Sequence, residues 1–300
     1  MPELSTGQGQ APSERAPSER DTGQALSLLS LSVAIITKNE GDNLPRLLDS
    51  LTALNPREVI VVDSGSADDT TEIARARGAQ VVVTDWPGHV EQKNRALDAC
   101  TQPWILSLDA DEPISAELAH NLRDLLGNSE PDKDGYEISR LTWYLGDWLR
   151  HIWYPEWRLR LVRNGKARWT GHNPHDRLET NGSVGRINGD IHHYSYMDVE
   201  DHFRRSIDYA RIGAHALAAR GKRFRWHKIV LAPLVRLIRL MIVRQGWRDG
   251  WRGWIIAWSS MFSCFLKYAF LYEIERSKRY RASGSDSASN RGHHDSGSEQ

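Results

Sequence analysis

From Leu29 onward the apolar positions of the chain fall into two alternating rhythms. "LSLSVAIIT" is a dense apolar run of strand type, and the "NLPRLLDSLTAL" that follows places Leu44, Leu47, Leu48, Leu51 and Leu54 at helical spacing. "EVIVVD" predicts a second strand, and "DDTTEIARARG" a helix that stops at Gly78. "AQVVVTD" and "PWILSLD" predict a third and a fourth strand, with a helix over "HVEQKNRALDAC" between them. Strands alternating with helices of this length predict an α/β fold, with a mainly parallel sheet flanked by helices on both faces. In such sheets ligands bind beyond the carboxyl ends of the strands.

After residue 135 the rhythm changes. "YEISRLTWYLGDWLR" and "WRLRLVRNGKARW" alternate like strands and carry Trp143, Trp148, Trp157 and Trp169 in or near them. Such aromatics serve as sheet face or core, or alternatively as a platform for sugar rings. "GHNPHDRLETNGSVGRINGDIHHYSY" is turn-rich and holds His172, His175, Asp176, His192 and His193, without the tight ligand spacing of a zinc site. Residues 198–219 predict a helix. The apolar run "VLAPLVRLIRLMIV" is broken by Arg236 and Arg239, three apart and so on one helical face. The next run is broken by Lys267, which leaves about 14 uncharged residues where a spanning helix wants about 20. With Trp247, Trp251, Trp254 and Trp258 beside several arginines, the pattern predicts a pair of interfacial helices.

Charge supports this division. The 300 residues carry 39 Lys and Arg against 39 Asp and Glu, a balance that speaks against a nucleic-acid binder. Residues 202–270 hold 14 basic and 2 acidic side chains, a net of +12, whereas residues 1–201 hold 20 and 32, a net of −12. The later block is therefore expected to meet an anionic membrane surface. Only two cysteines, Cys100 and Cys264, are present, so neither a disulfide framework nor a thiolate metal site is expected, and a reducing cytoplasm is the default. The first 25 residues lack the apolar core of a secretory signal and repeat APSER at 11–15 and 16–20. The expected organisation is a disordered tail over 1–28, a catalytic domain over 29–200, a helical, basic, Trp-rich region over 201–276 and a second disordered tail over 277–300. His293 and His294 fall in that second tail and are given no role.

The strand ends are the candidate chemistry. They read Thr37-Lys38-Asn39-Glu40, Asp63-Ser64-Gly65-Ser66, Thr84-Asp85-Trp86 and Asp109-Ala110-Asp111-Glu112. An Asp-x-Asp triplet alone is weak, since roughly one or two arise by chance in a chain of this composition. Asp132-Lys133-Asp134 is such a triplet in a polar loop. Four acid-bearing ends on one sheet edge, by contrast, describe a polar pocket whose spare negative charge a divalent cation would neutralise.

Taken in order, "VAIITKNEGDNLPRLLDSL", "EVIVVDSGSADDTTEIA", "QKNRALDAC" and "WILSLDADE" resemble the family 2 glycosyltransferases of the GT-A fold. "YPEWRLRLVRNGKARW", "HDRLE" and "HHYSYMDVEDHFRR" resemble, more narrowly, the lipopolysaccharide core β-glucosyltransferase group. The resemblance implies that Asn39 and Glu40 lie near the nucleoside, that Asp63 bonds the uracil edge and that Lys93 and Asn94 lie close to the nucleotide. It also implies that Asp109 and Asp111 hold Mg²⁺ or Mn²⁺ on the diphosphate, with Asp111 the direct ligand and Asp109 nearer the ribose or sugar. Glu156 stands where the family places the general base, although relatives more often carry aspartate there. Asp176 is the alternative base, where the family commonly shows His-Glu. His193 either assists the metal or phosphates or is a packed, hydrogen-bonded histidine. The implied activity is inverting transfer of a hexose, glucose first, from a UDP-sugar to a lipid A–core glycolipid. The implied place is peripheral, on the cytoplasmic face of the inner membrane. A polyprenyl-phosphate acceptor, or a non-catalytic membrane-bound nucleotide module, are the alternative readings.

Overall fold

A computed structural model describes residues 27–128, 130–171, 176–196 and 198–289. Residues 1–26 and 290–300 of the expected tails, with His293 and His294, lie outside these residues, as do His172 and His175. The first half folds as its rhythm predicts. Strands β1 (Leu29–Thr37), β2 (Pro56–Asp63), β3 (Gln80–Val83) and β4 (Trp104–Asp109) alternate with helices α1 (Leu44–Ser50), α2 (Thr70–Ala76) and α3 (His89–Asp98). All four strands run parallel, in the order β4-β1-β2-β3. Successive residues of β1 serve opposite faces: Val33 and Ile35 join Leu44 and Leu47 of α1, while Ala34 joins Ala96 and Leu97 of α3. Burial on both faces is why these strands read as continuous apolar runs.

The second half adds α4 (Ala116–Gly127), β5 (Gly135–Tyr144), β6 (Asp147–Leu149), β7 (Glu156–Arg163), β8 (Ala167–Thr170), β9 (Arg177–Thr180) and β10 (Val184–His193). The full sheet runs β10-β5-β7-β4-β1-β2-β3, with β6 on β5; β8 and β9 form a separate hairpin. β7 is antiparallel to both β4 and β5, so β5 and β10 point the same way as β1 to β4. The segment read as turn-rich therefore contains a ten-residue strand. Its glycines weaken the local signal, but one has a packing reason. Gly189 has φ +96°, sits at the register break between Ile187 and Asp190, and lies so close to α4 that a Cβ would stand 2.5 Å from the Leu118 nitrogen.

Beyond the sheet come α5 (Val199–Ala219) and α6 (Trp226–Ile238), which continues as a π turn over Arg239–Val243. A 3₁₀ turn over Gly246–Asp249 leads into α7 (Gly250–Ser289), which runs on past residue 276. These helices are built onto the sheet half. Leu240, Met241, Ile256 and Ala257 share one apolar cluster with Tyr144, Leu149 and Ile152. The buried Asp249 carboxylate accepts from the backbone N–H groups of Arg150 (3.0 Å), His151 (3.2 Å) and Ile152 (2.8 Å). Removing the helices would strand that apolar cluster in water, so they are part of the fold as well as its carboxyl-terminal extension.

His202 is the joint between the halves. On α5, it is buried between Tyr144 Oη (2.6 Å from Nδ1) and Ser259 Oγ of α7 (3.0 Å from Nε2). Burial pushes its pKa down to about 4, against the opposing pull of Asp201. The folded state therefore holds this imidazole neutral, whereas the unfolded chain protonates it below about 6.5. That contribution to stability is complete above the ordinary histidine range and fades as pH falls towards 4, by about 3 kcal/mol in all. Urea unfolding at pH 7 and pH 4.5 should show the decline in wild type and a flatter slope in His202→Asn. Equal slopes would show that other groups drive it.

Candidate active site

The direction of β7 determines what meets at the sheet edge. Because β7 runs against its neighbours, its first residue, Glu156, arrives where β1, β4, β5 and β10 end, and it pairs with Arg140 of β5. Two cavities open at this edge. The larger, about 820 Å³, is lined by Lys38, Glu40, Asp109, Asp111, Asp176 and Trp86 among others. Its size falls within the range of about 300–1,000 Å³ usual for small-molecule and cofactor sites. The smaller, about 440 Å³, holds Glu156 and Trp153 and shares Arg140, His193, Ser195 and Tyr196 with the first.

The two aspartates of the triplet have different surroundings. Asp109 lies 2.9 Å from Lys93 Nζ and 3.3 Å from Arg160 Nη2. Burial alone would raise its pKa, but Lys93, Arg160 and Arg140 overcome this and hold it well below the ordinary carboxylate range. Lys93 also reaches Asp176 at 2.9 Å and sits 4.2 Å from the centre of the Trp169 ring. Asp109 is thus already neutralised by the protein. Asp111, with 25 % of its side chain exposed, has one ion-pair partner among the described residues, His193, Oδ2 to Nε2 at 3.4 Å.

That pair fits a divalent cation. Two donors on one small cation, each about 2.1 Å from it at right angles, lie about 3 Å apart. His193 Nδ1 is buried without a partner, so no protein group there competes to fix the tautomer. Among the described residues no group of three or more His, Cys, Asp or Glu side chains is arranged to hold a metal. A cation here would draw its remaining oxygens from water and a phosphate-bearing ligand, as Mg²⁺ commonly does. Burial raises the pKa of Glu40, and the nearby Asp111, Asp109 and Asp68 raise it further against a hydrogen bond from Asn43. The cavity mouth is accordingly a region of negative potential.

Beneath it lies a network that the sequence reading passed over. Glu112 is fully buried and accepts from Arg160 Nη2 (2.6 Å), Arg140 Nη1 (3.1 Å) and the Asp109 N–H (3.1 Å). Arg140 also grips Glu156 at 2.8 Å, and Arg158 reaches the other oxygen of Glu156 at 2.5 Å. Burial raises the Glu156 pKa, yet Arg140 and Arg158 bring it below the usual range. The only signals for these arginines were their alternate positions in "ISRL" and "RLRL", where a strand sends every second residue to one face.

Three residues expected near the nucleotide are engaged within the protein in this structure. Asp63 has no exposed surface, and its oxygens accept from the Gly65 N–H (2.9 Å), the Ser66 N–H (2.8 Å), Ser66 Oγ and Thr37 Oγ1 (2.9 Å). These bonds engage both carboxylate oxygens in holding the loop after β2 against the end of β1. Asn94 exchanges two hydrogen bonds with the Trp169 backbone, tying α3 to β8. Asn39, at φ +56°, accepts from the Ala67 N–H at 2.8 Å and braces the loop after β2. Glu40, Lys93, Asp109, Asp111, Asp176 and His193 do come together around the larger cavity, while Glu156 lines the smaller. The aromatic walls are Trp86, Trp153, Tyr196 and Tyr209. Trp143 and Trp148 instead pack on each other, ring centres 4.9 Å apart, and Trp169 is buried beneath Lys93.

Residues 32–183 match the model of the family described as glycosyl transferase family 2. The lipopolysaccharide core biosynthesis glycosyltransferase LpsC of Rhizobium meliloti is 30% identical over 253 residues, covering 82% of this chain and 93% of that relative. An uncharacterized glycosyltransferase of Rickettsia typhi is 30% identical over 260 residues, covering 83% of this chain and 89% of the relative. Among solved structures, glucosyl-3-phosphoglycerate synthase from Mycobacterium tuberculosis, in complex with Mn²⁺, UDP and glucosyl-3-phosphoglycerate, is 27% identical. That match covers 39% of this chain and 45% of that one, with a TM-score of 0.31, too low to transfer geometry. The family match spans half of the chain, and these two relatives cover more than four fifths of it. The chain belongs to glycosyltransferase family 2 and is a glycosyltransferase of the GT-A fold.

Proposed function

We propose that this enzyme transfers a hexose, glucose first, from a UDP-sugar to a hydroxyl of a lipopolysaccharide-core glycolipid, with inversion at the anomeric carbon. The observation that carries this reading is the pair of adjoining cavities. One offers Asp111 and His193 to a cation-bound diphosphate, the other offers Glu156 to an acceptor, and both share Arg140, His193, Ser195 and Tyr196. The relation to LpsC supports the acceptor class. Mg²⁺ or Mn²⁺, held by Asp111 and His193, would supply Lewis-acid neutralisation of the charge that builds on the leaving diphosphate. Lys93 holds the Asp109 and Asp176 carboxylates in place beside the sugar side of the cavity. Glu156, ionised and on the acceptor side, takes the proton of the attacking hydroxyl. Asp176, the alternative base, lines the donor cavity and is tied to Lys93, so we assign it to orienting that lysine.

Calorimetric titration of UDP into the protein with Mn²⁺, and again with EDTA, tests the donor half. Tight binding that EDTA removes is expected, and absence of UDP binding in both conditions would reject it. One observation favours a second reading. Two arginines depress the Glu156 pKa and so weaken it as a base, which would suit a polyprenyl-phosphate acceptor, already ionised and in need of no base. Glu156→Gln discriminates between the two. Transfer to a hydroxyl should fall by about 10²–10⁴-fold, the usual contribution of general base catalysis. Activity within a few-fold of wild type would select the phosphate acceptor.

We further propose that the enzyme is peripheral, on the cytoplasmic face of the inner membrane. Val235, Ile238, Ile242 and Val243 of α6 and its π turn are exposed, as are Trp251, Trp254, Trp258, Phe262 and Phe265 of α7. Apolar groups in that number on two adjacent helices suit an interface with lipid. The segment Gly246–Lys278 is long and apolar enough to cross a membrane, with a mean hydropathy of 1.3 over its best window. Ile256, Ala257, Ser259 and Leu271, however, are buried against the rest of the protein, which favours a helix lying in the interface over one surrounded by lipid.

A further inference from the structure

Arg236 and Arg239, which interrupt an apolar helix in the sequence, line the smaller cavity together with Arg140 and Arg244. Arg140 is committed to Glu112 and Glu156. Arg244 donates to the carbonyl oxygens of Ile152 and Tyr154, both at 3.3 Å. The side chains of Arg236 and Arg239 make no ion pair or hydrogen bond among the described residues. The one carboxylate in the lining, Glu156, is already shared by Arg140 and Arg158. Four guanidinium groups against one engaged carboxylate leave the cavity strongly positive.

We infer that this cavity binds a phosphate group of the glycolipid acceptor, with Arg236 and Arg239 as its ligands, and that this contact sets the acceptor hydroxyl beside Glu156. The inference rests on the transfer reading above and adds the chemistry by which the acceptor is chosen. Guanidinium groups bind phosphate oxygens through paired N–H donors, and a surplus of two uncommitted arginines in a recess suits one doubly charged ester. The apolar side chains Val235, Ile238 and Ile242 flank these arginines in sequence and are exposed. A ligand with a phosphate on its sugar and an acyl tail would therefore satisfy both surfaces at once, whereas a soluble phosphorylated sugar would use only the cavity.

Binding is measured without donor, so that it is independent of the transfer chemistry. The full chain is titrated with a lipopolysaccharide-core glycolipid in neutral-detergent micelles, and with the same glycolipid stripped of its phosphates. Wild type should bind the stripped form at least about 10-fold more weakly, roughly the loss of one charge-assisted contact. Arg236→Gln/Arg239→Gln should show the same loss on the intact glycolipid and no further loss on the stripped one, because the two changes remove one interaction. Thermal melting verifies that the variant is folded. Equal binding of both glycolipids by wild type, or a variant defect of the same size on both, would overturn the inference. Competition by phosphatidylglycerol in the same micelles as strong as by the glycolipid would also overturn it, by assigning the arginines to bilayer headgroups. Loss of UDP binding in wild type with glycolipid discrimination intact would count against the donor reading alone.

Discussion

Asp111→Asn is expected to lower sugar transfer by about 10³-fold, equivalent to about 4 kcal/mol of transition-state stabilisation. The substitution keeps the shape of the side chain and replaces an anionic oxygen by a neutral amide. Among the described residues Asp111 makes one side-chain contact, to His193 at 3.4 Å, so little else should change. The effect should appear in two measurements together. Transfer should fall, and the part of UDP affinity that depends on Mn²⁺ should disappear, leaving wild-type and variant isotherms alike in EDTA. Asp109→Asn would be less informative, because it also removes one of the two carboxylates that Lys93 and Arg160 each engage. Asp132→Asn, from the triplet in the polar loop, is the matched control and should behave as wild type. Metal-dependent UDP binding that survives in Asp111→Asn would remove this aspartate from the site.

Glu112→Gln should be the most damaging isosteric change near the site, through stability. Glu112 has no exposed surface and bears two arginines, at 2.6 and 3.1 Å. Arg160 is itself 3 % exposed, its Nε and Nη1 have no partner among the described residues, and its second carboxylate, Asp109, is farther away at 3.3 Å and already shared with Lys93. Removing one member of a buried ionic network costs about 3–5 kcal/mol, since the desolvated charges remain. At about 2–4 °C per kcal/mol for a chain of this size, the melting midpoint should drop by about 10 °C. Glu137→Gln, which breaks the exposed pair with Arg186, should move it by no more than about 0.5 kcal/mol. A Glu112→Gln protein that melts with wild type would mean that the arginines find other anions, and the network would lose its structural role.

The network also explains why part of the site could not be read in the chain. Asp109 and Asp111 stand out because four apolar residues of a buried strand run directly into them. Arg140, Arg160 and Glu112 carry no such mark. Their importance comes from converging on one another from β5, β7 and the turn after β4, and convergence has no local signature. Asp63 sits at a strand end in the same way, and only the structure shows that its carboxylate also accepts from two N–H groups of its own loop and from two hydroxyls. Arg236 and Arg239 read as interruptions of a membrane-facing helix, and only the packing of α6 beside Glu156 turns them into cavity lining.

By itself the sequence determined the alternation of strands and helices, the parallel core from Leu29 to Asp109, the acid-bearing strand ends and the basic, Trp-rich character of the later helices. These follow from periodicity and composition, which are properties of neighbours along the chain. Only the tertiary structure decided that β7 runs antiparallel between β4 and β5, that β10 exists, and that the later helices close one side of the site. Each depends on pairing between residues far apart in sequence, such as Arg140 with Glu156 or His193 with Asp111. Such pairing is fixed by register and burial across the whole sheet, where the energy of a contact is realised only after the remote segments have met.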